Sequence, residues 1–305
     1  MLTHLAFNVY HWGDEPQRRL LVEALAPAVR ALRAEGVARR VWYAAFDARG
    51  PHLFVLLSAP SARADELRER FGALLDAYLA AHPSTETIPP DVLQTRHDEC
   101  RGKRLCAVDG EEDFAPNDSW RVCEQPADAF PFRLSAGIED ADALWDACGE
   151  WALWAVDRIA EGAGTAAGIR WTAALDGALA RAGLDAAEYW RFHATTLLVR
   201  LQAALEHDEA ASLAALPASV GEKNRAAFGR VWAAVEAEPE AWAGLDRLVA
   251  LAHRPEGETP KERWGLLREI NHCVLSQLQQ PVRLRVPLVL HAWSRAVAEP
   301  AGAPA

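Results

Sequence analysis

Trp42-Tyr43-Ala44-Ala45-Phe46-Asp47-Ala48-Arg49-Gly50-Pro51-His52-Leu53-Phe54-Val55-Leu56-Leu57 decides the reading of the fold. Val41 to Asp47 and His52 to Leu57 are strand-like runs. The Ala48-Arg49-Gly50-Pro51 between them is short and turn-rich enough to close a hairpin. Upstream, Leu5 to Trp12 is another aromatic, β-compatible run that stops at Gly13-Asp14. A helix follows from Pro16 to Glu35, because Leu20, Leu21, Ala24, Leu25, Ala28, Val29 and Leu32 recur at spacings of three and four. Pro27 is expected to kink it, and Gly36 to end it with a positive φ. Downstream, Ser61 can cap a helix reaching about Ala81, with Leu67, Phe71, Leu74, Leu75 and Tyr78 on one stripe. The order β-α-β-β-α becomes ferredoxin-like if Arg104 to Val108 supplies a last strand.

Prolines at 83, 89, 90, 116, 126 and 131, among many acidic residues, predict loops and short strands from Pro83 to Phe132. After Gly137 the pattern turns helical over 139–161, 165–182, 185–206, about 222–236, 239–253 and 260–280. A short Val282 to Val286 extension and a helix from Pro287 follow. Thr259-Pro260 and Val286-Pro287 both place proline where a first helical turn accepts it. The fold class expected is α+β, a ferredoxin-like N-terminal lobe with a mainly α-helical C-terminal half. The expected domains are a lobe over 1–110, an irregular connection over 111–136, a helical lobe over 137–298 and a frayed tail over 299–305.

With 305 residues, half of them hydrophobic, the chain can bury a large core. Its net charge of −11 argues against a general nucleic-acid binder. No basic and apolar leader opens it, and uncharged runs such as Ala210 to Gly221 are too short to cross a bilayer. A cytoplasmic location is expected, away from membranes. Five cysteines, an odd number, do not form an extracellular disulfide framework. The charge is uneven: residues 1–70 carry ten arginines against eight acids, and residues 91–150 six basic residues against fifteen acids. Arg18, Arg19, Arg39 and Arg40 therefore form the expected contact for an acidic peptide segment.

His291 and Arg295 lie four apart and share a helix face, with Ser294 a step away. A nearby guanidinium disfavours imidazolium and keeps a neutral imidazole available for proton transfer. Tyr10, Tyr43 and Tyr189 are potential hydrogen-bond donors to an amide oxygen, and His52 opens the second strand of the hairpin. Twelve tryptophans, Trp12, Trp42, Trp120, Trp145, Trp151, Trp154 and Trp190 among them, offer rings on which aromatic heterocycles stack. Trp145, Trp151 and Trp154 share one predicted helix, and packing between lobes is the plainer account of them. His97, Cys100, Cys106 and Cys123 lack the paired spacing of a zinc site, so no metal is expected. No P-loop, dinucleotide fingerprint or nucleophile elbow is present.

The hairpin block and the terminal Leu290-His291-Ala292-Trp293-Ser294-Arg295 together resemble the small enzymes related to the C-terminal elimination domain of lantibiotic dehydratases, which include stand-alone thiopeptide maturation proteins. That family pairs an aromatic strand ending in Arg-Tyr and a Gly-Pro turn with a strand beginning His-Leu-Arg-Leu-Arg, and closes with His-Met-x-x-Asn-Arg. Here Ala45-Phe46 stands in place of Arg-Tyr and Phe54 in place of the next Arg, while Ala292 and Ser294 replace Met and Asn. The resemblance implies that the missing arginines would hold a departing glutamate carboxylate. A relative without them looks like a thiopeptide pyridine synthase, joining two dehydroalanines of a leader-bearing, azole-containing peptide by formal [4+2] aza-cycloaddition without a cofactor. His291, Arg295, Tyr43, His52 and Tyr10 are then the catalytic candidates, and Arg18, Arg19, Arg39 and Arg40 the leader-binding ones. Two alternatives stand beside this reading: a split glutamate-elimination lyase using Arg49 or Arg101, and a non-catalytic precursor-binding partner.

Overall fold

A four-stranded antiparallel sheet organises the first of two units, Met1–Gly162, in the computed structural model of the chain, which describes residues 1–46, 49–101, 114–126, 131–202, 226–278 and 282–298. Its strands are β1 (Leu2–Tyr10), β2 (Arg40–Phe46), β3 (His52–Pro60) and β4 (Ser119–Gln125), in the order β2-β3-β1-β4. This is the ferredoxin-like arrangement with a different last strand. The expected one, over 104–108, lies outside the described residues, and Ser119–Gln125 pairs with β1 instead. Trp120 anchors that strand. Its ring lies over Gly72, where a Cβ would come within 2.7 Å of the indole, and its Nε1 donates to Asp76 at 2.7 Å.

Between β1 and β2 the helical stretch begins as α1 (Asp14–Leu20) and continues as α2 (Ala26–Ala34), joined by a π-helical turn at Leu21–Leu25. The expected disturbance at Pro27 takes this form. Proline lacks an N–H and clashes with the carbonyl one turn back, and a widened turn removes both conflicts without a break. Gly36 ends the helix at φ 70°, with the Val37 N–H donating to the Leu32 carbonyl at 2.8 Å. Helix α3 (Ala64–Ala81) follows β3, and α4 (Pro90–Arg101) precedes β4.

Leu57 faces Leu5, Val55 faces Phe7 and Leu53 faces Val9 across β1 and β3, while Tyr43 faces Val55 and Val41 faces Leu57 across β2 and β3. These residues form one sheet face and join Val29, Leu32, Leu67, Phe71 and Leu75 in the core. Phe7 meets Phe71 edge-to-face at 4.7 Å, an arrangement worth about 1 kcal/mol beyond the area it buries. Helix α5 (Ala141–Ala160), which the sequence pattern groups with the later helices, packs along β2 and adds Ala152, Leu153, Val156 and Ile159 to the same core.

The second unit, Ala163–Ala305, contains α6 (Gly164–Arg181), α7 (Ala186–Gln202), α8 (226–236), α9 (Ala243–Ala252), α10 (Pro260–Gln277) and α11 (Val282–Ala298). Pro260 sits in the first turn of α10, as its sequence predicts, and Thr259 caps the helix in a reciprocal capping box with Glu262. Pro287 does not start its helix: it lies inside α11, just past the first turn, where it removes one backbone hydrogen bond. The flanking Val286, Leu288 and Val289 are buried, and α11 runs against α7 and α6. Among the described residues no helix is long and apolar enough to cross a membrane.

Asp176, buried on α6, joins three further helices. Its carboxylate accepts from Trp190 Nε1 at 2.7 Å on α7 and from Trp232 Nε1 at 2.9 Å on α8, with Arg295 Nε of α11 3.8 Å away. Burial raises the Asp176 pKa, and the two indole bonds and the Arg295 charge oppose the rise. Asp176→Ala leaves two buried indole donors without their acceptor, at roughly 1–3 kcal/mol for each unmet group. Urea denaturation is expected to show a loss of about 2–6 kcal/mol for that variant, and a smaller loss for Asp176→Asn, which keeps one acceptor oxygen. An unchanged midpoint for Asp176→Ala would remove the carboxylate from the account of this unit.

Candidate functional site

Residues of the sheet that alternate with the core set face away from α1, α2 and α3, and at the hairpin end of that face Tyr10 and His52 stand together. Their rings are 4.8 Å apart, both are buried, and Phe46 and Phe54 extend the aromatic surface, with 6.0 Å between Phe46 and His52 and 5.7 Å between Phe46 and Phe54. His52 Nδ1 lies 2.9 Å from the Gly50 carbonyl. A carbonyl only accepts, so Nδ1 carries the proton and Nε2 keeps the lone pair. Burial, helped by the Arg49 charge and opposed by the Gly50 hydrogen bond, lowers the His52 pKa to about 4. At neutral pH this residue is an imidazole of fixed tautomer with one accepting nitrogen.

The turn that holds it is strained and pinned. Arg49 has φ 61° and is buried; its N–H donates to His97 Nδ1 at 3.1 Å, and its carbonyl accepts from the Ala115 N–H at 2.9 Å. His97 thus braces the hairpin. Cys123 lies on β4 beside Gln125, the Cys100 side chain and Cys106 lie outside the described residues, and among those described no three His, Cys, Asp or Glu side chains gather to hold a metal.

Beside the hairpin a cleft of about 630 Å³ is lined by Ala45, Phe46 and Pro51, by Gly13, Asp14, Glu15 and Gln17 at the start of α1, and by Glu86 and Ile88. Ala45, where the resemblance leads one to expect an arginine, therefore stands among carboxylates. Phe54, where the next is expected, belongs to the aromatic surface.

The other sequence candidates are dispersed. Tyr43 points to the opposite sheet face from Tyr10 and His52, into the core, and burial drives its phenol pKa far up. The alternation of strand side chains separates it from the other two. Tyr189 is buried in the second unit and accepts from Asn271 Nδ2 at 3.2 Å. His291 and Arg295 share a face of α11 as expected. The His291 ring lies 4.8 Å from Trp232 and 5.3 Å from Phe228, while Arg295 Nη2 donates to Glu236 at 2.8 Å. Ser294 donates back to the Leu290 carbonyl within the helix.

The basic candidates are also engaged. Arg18 pairs with Glu15 and Arg19 with Glu23 along their own helix. Arg39 pairs with Asp146, and Arg40, only 6% exposed, is held by Asp142 and Asp146 of α5. Sequence reasoning missed Gln17, Asp14 and Glu86. Only their convergence with Ala45 marks them, and nothing in their spacing announces it.

His52 generates a pH test. Its folded pKa of about 4 lies below the ordinary 6.5, so the unfolded chain binds the proton more readily. The stability tied to it is full above pH about 6.5 and is lost as pH falls towards about 4. Over that window the wild type is expected to lose stability more steeply than His52→Gln, by up to about 1.4 kcal/mol per pH unit. Parallel urea-denaturation curves at each pH for the two proteins would show that His52 titrates as a solvated histidine.

The family described as Lantibiotic biosynthesis dehydratase C-term matches residues 5–297. Among solved structures, a pyridine synthase, TbtD, from thiomuracin biosynthesis has a similar fold, with a TM-score of 0.73 and 22% sequence identity over 98% of this chain and 99% of that one. No curated protein sequence matches. With the family pattern spanning nearly all of its length, from β1 to α11, the chain belongs to the lantibiotic dehydratase C-terminal family.

Proposed function

We propose that this protein is a pyridine synthase of thiopeptide maturation. It joins two dehydroalanines of a leader-bearing, azole-containing peptide by formal [4+2] aza-cycloaddition, and loss of water and of the leader peptide then leaves the aromatic ring. The observation that carries the reading is the surroundings of Ala45 and Phe54. Where an eliminating member would present guanidinium to a glutamate carboxylate, this chain presents a cleft walled by Asp14, Glu15 and Glu86 and an aromatic surface. Carboxylates repel a departing carboxylate, whereas bidentate arginine is what stabilises one. End-to-end likeness in fold to a pyridine synthase adds support.

The reaction needs two distant alkenes held together and one amide turned to its iminol form, a task of positioning and hydrogen bonding rather than of cofactor chemistry. His52 Nε2 suits acceptance of the iminol O–H, and Tyr10, its ring neighbour, suits donation to the same amide. His291 matches the family's closing histidine and is the candidate for proton transfer. Arg295, with its carboxylate partners, positions α11. The leader is assigned to the exposed and half-exposed basic groups Arg18, Arg19 and Arg39; Arg40 serves first to hold α5. The elimination alternative rests on Arg49, whose charge already acts on His52.

Mass analysis separates the two enzymatic readings. A glutamylated precursor incubated with the protein is expected to keep its glutamate, and a dehydrated, azole-bearing precursor to lose water and its leader. Stoichiometric glutamate release would overturn the synthase reading in favour of elimination, and binding without any mass change would favour a silent peptide-binding partner.

For His291 the expected result is a fall of roughly a hundredfold in conversion by His291→Ala, the usual size for a positioned acid or base. Leader binding should be retained. His291→Gln keeps bulk and hydrogen bonding without proton transfer, so near-normal turnover in that variant would assign orientation, and wild-type turnover in His291→Ala would leave a structural histidine.

A further inference from the structure

The cleft beside the hairpin holds more recognition chemistry than the absence of arginines requires. Gln17 lines it, is only 9% exposed, and its side-chain amide makes no hydrogen bond among the described residues. That amide opens on the cleft, so a peptide donor or acceptor arriving there finds an unengaged partner, worth about 0.5–1.5 kcal/mol. Around it, Glu15 is bonded to Arg18 at 2.6 Å, but Asp14 and Glu86 form no ion pair among the described residues. Ala45, Phe46, Pro51 and Ile88 give the cleft an apolar floor.

The acidic wall is built into the fold. Gly13 has φ 100°, and a Cβ there would come within 2.6 Å of Glu86 Cγ, so glycine lets Glu86 lie against the start of α1. The segment carrying Glu86 is tied down behind it. Ser84 Oγ donates to the Trp12 carbonyl at 2.6 Å, the Glu86 N–H donates to Ser84 Oγ at 3.2 Å, and Asn117 Nδ2 donates to the Glu86 carbonyl at 3.3 Å.

We infer that this cleft is a peptide subsite that takes a cationic residue. The backbone amide of that residue meets Gln17, its alkyl stem lies on Ala45, Phe46 and Ile88, and its ammonium is shared by Asp14 and Glu86. An acidic residue is refused there. The inference rests on the reading of the protein as a peptide-maturing enzyme and adds to it a rule about which residue of the peptide enters beside the hairpin.

Single-residue probes test it without any turnover. Acetyl-lysine, acetyl-alanine and acetyl-glutamate N-methylamides are titrated into the ¹⁵N-labelled full chain and followed by backbone amide shifts. The lysine probe is expected to move Gly13–Gln17, Ala45–Phe46 and Glu86–Ile88, and to bind about tenfold tighter than alanine, as one charge-assisted hydrogen bond gives. The glutamate probe should leave those amides in place. Asp14→Asn/Glu86→Gln should erase the advantage of lysine over alanine, and Gln17→Leu should weaken both probes by about tenfold. Binding of glutamate as tight as lysine, or lysine shifts confined to other residues, would overturn the subsite in the wild-type protein alone. Since the readout is binding, that outcome is separate from failure of the cycloaddition reading, which mass analysis decides.

Discussion

Pairing of β3 with β1 in one register, Leu57 opposite Leu5 and Val55 opposite Phe7, is the constraint from which the first unit follows. β3 is buried along nearly its whole length and β1 from Leu5 to Tyr10, so each face must carry the right side chains. Sliding β3 by one residue would turn His52, Phe54 and Ser58 into the core beneath the sheet and expel Leu53, Val55 and Leu57. The same register sets His52 beside Tyr10 and sends Tyr43 to the other side. The candidate site is thus a consequence of how the core is filled, with the turn at Arg49 and Gly50 fixing the imidazole tautomer.

Charge follows a similar logic. The arginine excess of the first seventy residues reads in sequence as a surface for an acidic partner, yet much of it is met by acids far along the chain. Arg30 pairs with Asp157, Arg33 with Glu150, and Arg39 and Arg40 with Asp146, all on α5. Exposed pairs of this kind contribute only about 0–1 kcal/mol each. The buried guanidinium of Arg40 matters more, because removing its partners would leave a desolvated charge. These pairs align α5 along β2. The acids at the start of α1 and in the 83–89 segment work in the opposite sense, making the space at Ala45 hostile to a carboxylate.

In the second unit one carboxylate takes the organising role. Asp176 would cost several kcal/mol if buried alone. Two indole donors and a nearby guanidinium offset that cost, and they come from three different helices. The tryptophans, numerous enough in sequence to suggest stacking on a heterocycle, are in part committed to this work. Trp190 and Trp232 bind Asp176, Trp171 donates to Asn271, and Trp264 donates to Glu188. The closing His-x-x-x-Arg is divided accordingly, with Arg295 bound into the network and His291 set between Trp232 and Phe228.

By itself the sequence determined what is local: the hairpin from two apolar runs around a Gly-Pro break, the helix after β1 from its three-and-four spacing, the start of α10 from a proline that suits a first helical turn. It also held the family resemblance, because the replaced arginines can be read as Ala45 and Phe54 without coordinates. Tertiary structure decided what depends on distant partners. It chose Ser119–Gln125 as the fourth strand, since Trp120 finds Gly72 and Asp76 there, and it placed Pro287 inside a helix whose apolar neighbours outweigh one lost hydrogen bond. It brought Tyr10 to His52 and kept Tyr43 away, through a pairing register that neither strand encodes alone. Gln17, Asp14 and Glu86 are ordinary polar residues in sequence. They become a recognition surface only because a glycine at position 13 lets two segments some seventy residues apart lie in contact, a closeness with no local signal.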